Sequence, residues 1–142
     1  MSTRRRAREV ALQALYQLEA NPDPQHLDRF LVGRLRFPPL VAFARELVDG
    51  VQAERAALDA ELESRALRWR VSRMAATDRA ILRIAVYELL HTDVPGAVAV
   101  DEAIDLARRY GSEDSPRFVA GILGRVLAER DAAAADAPST TP

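Results

Sequence analysis

The sequence has no cysteine and no lysine, and only one tryptophan and two histidines among its 142 residues. Without cysteine there are no disulfides or thiolate metal sites, and nothing points to an oxidising compartment. Without lysine there is no phosphate-loop lysine, and no Gly-rich loop follows a strand to cradle a nucleotide. No GxSxG elbow is present. His26 and His91 fall on different predicted helices with no His pair at metal-ligand spacing, so no metal is expected, and no motif implies a cofactor. No apolar run approaches the ~18 residues of a membrane span, and no signal peptide follows the basic start, which predicts a soluble, cytoplasmic protein with no membrane partner. Carboxylates are plentiful, but each falls at a helix start or on a solvated face, where charge balance accounts for it. These absences together favour a binding protein over an enzyme.

What is present is helix. The stretch AATDRAILRIAVYELLH, residues 75–91, carries Ile81, Leu82, Ile84, Ala85, Val86, Leu89 and Leu90 around most of a helical circumference. A helix apolar on nearly all sides is buried on nearly all sides, so the others should pack around it. Thr77 or Asp78 is placed to cap its start, and the Pro-bearing DVPG at 93–96 stops it. Only Asp78, Arg79, Arg83, Glu88 and His91 keep a polar end to offer to water or a partner.

Before it, a first helix is predicted from Thr3 to Ala20, with Ala7, Ala11, Leu12, Leu15 and Leu18 on its core face. A second runs near residues 25–36 between two proline breaks. A third runs from about Pro39 to Ser64, and Gly50 inside it suggests a close backbone crossing. Trp69 lies among Arg65, Arg68, Arg70 and Arg73. A base-stacking platform is one reading of that setting; a lone large aromatic is more often core, so it is expected to plug the seam between two halves. After the central helix, a helix over residues 98–110 ends at Gly111. Ser115 and Pro116 then start a last helix reaching about Arg130, on which Phe118 lies roughly 100° off the apolar stripe. Beside Arg117, that ring is a candidate base contact as well as half-buried packing. The reading is all-α with about seven helices: an N-terminal helical subdomain over 1–66, a C-terminal one over 67–130, and a disordered alanine-rich tail over 131–142.

The formal net charge of −1 conceals a basic tip, in which Arg4, Arg5, Arg6 and Arg8 face Glu9 alone. They occupy the first turns of a helix, where the dipole already presents positive charge, so local stability gives no reason for them. A solvated, frayed terminus is the plain reading. An anion-binding arm lying outside the core is the one preferred here, because the four lie on different sides of the helix and are placed to wrap a phosphate chain.

Four segments taken together, RRRAREVALQALYQ, Trp69 followed by DRAILRIAVYEL, VPGAVAVDEAIDLARRYG and SEDSPRFVAGIL, resemble the NusB family of transcription antitermination factors over about residues 3–130. The resemblance implies two three-helix bundles packed across each other. It implies binding of boxA RNA jointly with NusE, a small-subunit ribosomal protein, so that an RNA polymerase antitermination complex reads through terminators, notably in ribosomal RNA operons. The family's arginine-rich motif maps onto Arg4, Arg5, Arg6 and Arg8. Its acidic and aromatic positions at the last helix map onto Asp114 and Phe118, with Arg117 between them as a further RNA contact. Tyr16 and Asp78 match positions used toward NusE. The family's FVNGVLD differs here at Ala120 and Gly124, which removes a polar pair from the last helix. Three rivals stand beside this reading: a helical scaffold that homodimerises without RNA, the helical domain of an RNA cytosine methyltransferase, and a DNA-binding protein whose basic helix start enters a groove. The methyltransferase requires a cofactor domain after the bundle, where this chain has its tail.

Overall fold

A computed structural model describes residues 3–66 and 69–136, and the described residues are all-α. The helices are α1 (Arg4–Ala20), α2 (Pro24–Leu35), α3 (Pro38–Ala53), α4 (Arg55–Arg65), α5 (Ala76–His91), α6 (Gly96–Tyr110) and α7 (Ser115–Asp136), with a short 3-10 turn at Val71–Arg73. Helices α1, α2 and α3 pack on one another, while α4, α6 and α7 pack around α5, which also touches α1 and α3. The change of packing partners falls between α3 and α4, at Glu54.

The starts follow local chemistry. The Thr3 hydroxyl accepts the Arg6 N–H at 3.2 Å and opens α1. An Asp23 carboxylate oxygen accepts the Gln25 N–H at 3.0 Å and, with Pro24 behind it, opens α2. The expected cap of α5 by Thr77 or Asp78 does not form: Ala75 holds the cap position, with no side chain bonding back. Instead the Arg79 guanidinium donates to the carbonyl of Met74 at 3.1 Å, tying the 3-10 turn to α5. At the other end the Thr92 hydroxyl donates to the Glu88 carbonyl at 2.7 Å, just before Pro95 closes the path.

Helix α5 is the axis of the molecule, as its composition predicts. Ile81, Leu82, Ile84, Ala85, Val86 and Leu89 are buried, and only Leu90 turns outward. Burial of each large apolar side chain stabilises the fold by about 1.5–3 kcal/mol. The polar residues of α5 mostly do not face water: Arg83 and Glu88 are also buried, each in an ion pair with another helix. The two Arg83 bonds to the Asp59 carboxylate, 2.8 Å each, join α5 to α4. Gly50 of α3 lies against the Tyr87 ring of α5, where a β-carbon would overlap the ring, which is the close crossing expected of it.

Two further expectations are corrected. The single helix expected from Pro39 to Ser64 is two, interrupted at Glu54. The backbone ladder still passes through it, from the Glu54 N–H to the Gly50 carbonyl and from the Leu58 N–H to the Glu54 carbonyl, both 2.9 Å. The last helix does not stop at Arg130 but continues through Asp136, its final residues exposed. Alanine is the strongest helix former, so an Ala run following a docked helix extends it instead of fraying. The rest of the expected tail, 137–142, lies outside the described residues. Among the described residues no helix is long and apolar enough to cross a membrane.

Candidate functional site

The four arginines of the arm are not equivalent. Arg8 is only 4% exposed, and its guanidinium donates two bonds of 2.8 Å to the two carboxylate oxygens of Glu88, itself 1% exposed. The expectation that all four lie outside the core is therefore corrected for Arg8. The signal was present: Arg8 precedes Leu12 and Leu15 by four and seven residues, placing it on the core face of α1, and Glu88 is the carboxylate inside the apolar part of α5. Arg6 donates to Glu9 at 3.0 Å, and Glu9 also receives Arg109 of α6. Arg5 forks onto Glu102 of α6 with two bonds of 3.2 Å, and that hydrogen bonding, with the nearby Asp105 charge, raises its already high pKa. Arg4 has no carboxylate partner among the described residues, and its guanidinium lies over the Phe43 ring at 4.9 Å.

Arg4, Arg5, Arg8 and Phe43 border an open groove of about 680 Å3, with Glu46, His91, Asp93 and Glu102 on its other walls. Its charge is mixed, with the Arg4 and Arg5 guanidinium groups contributed by the first turn of α1.

A second surface lies at the start of α7. The Ser115 hydroxyl accepts the Ser112 N–H at 2.9 Å and closes the turn that leads into α7. Gly111 is required there because a β-carbon would meet Ser115 and the Ala107 carbonyl. Asp114 and Arg117 stand exposed on this turn, and Phe118 is half-buried behind them. The Phe118 ring meets the Trp69 ring edge-to-face, centroids 5.7 Å apart and planes at 75°. Trp69 is 55% exposed, which overturns its expected place as a plug between halves; the seam is filled by α5 instead. Trp69, Arg117, Phe118, Gly121 and Arg125 line a groove of about 400 Å3. Gly124 faces open space, so the departure there strains nothing.

The third set is split. Tyr16 is 59% exposed and lines a groove of about 350 Å3 with Phe30, Thr77 and Tyr110. Asp78 is buried, and one of its carboxylate oxygens has no hydrogen-bond partner among the described residues. These three grooves share no residue.

The class the fold defines is a small all-helical bundle, here with guanidinium groups set beside aromatic rings on its open surfaces. The NusB family profile matches residues 5–128. A transcription antitermination protein NusB from Anaeromyxobacter sp. (strain Fw109-5) is 47% identical over 131 residues, covering 88% of this chain and 90% of that protein. The solved structure of T. maritima NusB matches with a TM-score of 0.79 at 36% identity, over 90% of this chain and 92% of that one. A NusB solved with NusE and double-stranded RNA matches with a TM-score of 0.76, over 89% of this chain and 96% of that one; at 24% identity the likeness is one of fold. The chain belongs to the NusB family.

Proposed function

We propose that the chain is an RNA-binding transcription antitermination factor, which captures boxA RNA together with NusE and hands it to an RNA polymerase antitermination complex in the cytoplasm. Its work is assembly, not catalysis. Arg4 and Arg5 contact phosphates of a single strand, Arg117 adds a third contact, and Phe118 with Asp114 reads bases. Arg6 and Arg8 act from behind: Arg6 holds Glu9, and Arg8 pins the arm to α5. Tyr16 meets NusE, and Asp78, buried next to Thr77 of the Tyr16 groove, supports the same contact from behind. The observation that carries this reading is Arg4, an exposed cation held over Phe43 at 4.9 Å with no carboxylate to neutralise it among the described residues. A guanidinium oriented by a ring face and left uncompensated is suited to an anion.

The test is anisotropy of a labelled boxA RNA, with and without NusE, across a salt series. Three neutralised phosphates give a slope of log K against log salt of about −2 on single-stranded RNA. A slope near zero removes the arginines from the interface, and binding that duplex DNA competes away as well as single-stranded RNA does overturns the RNA reading.

A further inference from the structure

We infer that Trp69 is a second base-stacking platform, extending the RNA path from Phe118 along the groove between the end of α4 and the first turns of α7. The inference rests on the proposed RNA reading and adds to it a residue and a direction.

Four observations carry it. Trp69 is 55% exposed, although burying a ring of that size is favourable and the core is a few residues away at Ala66 and Val71. Its ring stands edge-to-face on Phe118 at 5.7 Å, so the two aromatics form one continuous apolar wall, not two separate spots. Gly121 lines the groove, and nothing lies within 4 Å of an added β-carbon there, so no side chain fills that stretch of it. The rim is cationic: neither Arg117 nor Arg125 has a carboxylate partner among the described residues, and Arg125 is held in place by its Nε bond of 2.8 Å to the Arg65 carbonyl. Flat faces for bases beside cations for phosphates are the two components of single-strand recognition, and stacking of this kind tolerates any base.

Trp69 is the sole tryptophan, so its emission reports on this groove alone. The experiment titrates the full chain, alone and with a tryptophan-free NusE, with a labelled single-stranded boxA RNA, and reads RNA anisotropy and protein emission together. Quenching of Trp69 is expected at the same midpoint as the anisotropy rise. Trp69→Ala should weaken binding about tenfold and Trp69→Phe by much less. Gly121→Leu, which adds a side chain to the groove three residues along α7 from Phe118, should abolish the quenching even if Trp69→Ala folds poorly. A full anisotropy rise with unchanged emission, and unchanged affinity in Trp69→Ala, overturns the platform and leaves RNA binding standing. No anisotropy change in any arm overturns both. An emission shift that follows protein concentration without RNA assigns the surface to a second copy of the chain and overturns the platform as well.

Discussion

Arg8 and Glu88, eighty residues apart in sequence, face each other through two parallel N–H to oxygen bonds of 2.8 Å inside the molecule. The bond joins the first turns of α1 to the last turns of α5, so the base of the arginine arm is fixed to the axis of the fold. Removing one partner of a buried ion pair leaves the other charge desolvated and unpaired, at a cost of about 3–5 kcal/mol, whereas replacing both with apolar groups of similar size is often neutral. Arg8→Ala and Glu88→Gln should each lower urea-unfolding stability by roughly that amount. Arg8→Met combined with Glu88→Leu should recover most of it. If the single variants melt with the wild type, the pair contributes nothing to folding and Arg8 returns to the list of free cations.

Arg4 and Arg5 should behave in the opposite way. Arg4 is exposed, and the Arg5 side chain is 50% exposed in its pair with Glu102, a kind of ion pair worth about 0–1 kcal/mol in solvent. The double variant Arg4→Ala, Arg5→Ala should therefore keep stability within about 1 kcal/mol and flatten the salt slope of RNA binding by about 1.4. Replacing all four arginines at once would confuse loss of contact with loss of fold, because Arg8 is among them. Equal salt slopes for the double variant and the parent would place the phosphate contacts elsewhere.

How much of this was legible in the sequence depends on what each residue's pattern encodes. The burial of α5 could be read directly, because an all-round apolar helix has one physical solution. The interruption at Glu54 could not: the backbone bonds run through it, so the 3.6 period of α3 continues into α4 with no Gly or Pro to mark the change. Arg8 was misplaced because it was grouped with its basic neighbours and not with Leu12 and Leu15, whose face it shares. Trp69 was misplaced because a general preference for burying tryptophan outweighed its local setting, in which Phe118, distant in sequence, supplies a wall but not a cover. Asp78 and Tyr16 came only from resemblance, since nothing in their spacing distinguishes a partner contact from a solvated residue.

Gly50 and Tyr87 form a second coupled pair. An added methyl at Gly50 gains up to about 1 kcal/mol of helix propensity, but overpacking of this kind typically costs about 1–3 kcal/mol. Gly50→Ala should thus destabilise the protein in chemical unfolding, and the Tyr87 ring would have to leave its stacked place on His91, 5.3 Å away between centroids. In a Tyr87→Ala background the overlap is gone and the same substitution should become neutral or stabilising. A double-mutant cycle reads the coupling as the difference between the two, and additivity of the two single effects would mean that the ring and the glycine do not meet.

The pH dependence at the alkaline end should come from two phenols. Burial raises the pKa of Tyr87, helped by the negative charges of Glu46 and Glu54, and burial likewise raises that of Tyr110, helped by Glu9. A folded-state pKa above the unfolded value means that the native state holds its proton when the unfolded chain has lost it. The stabilisation is therefore complete below about pH 10 and is lost as the pH climbs through the folded-state values. Arginines stay charged throughout that range, and no lysine or cysteine is present to titrate there, so the tyrosines dominate the alkaline limb. Tyr87→Phe should make the decline in stability above pH 10 shallower, and adding Tyr110→Phe should flatten it further, with absorbance at the phenolate band following the same course. Identical alkaline limbs in the parent and both variants would show that neither phenol is held in its neutral form by the fold.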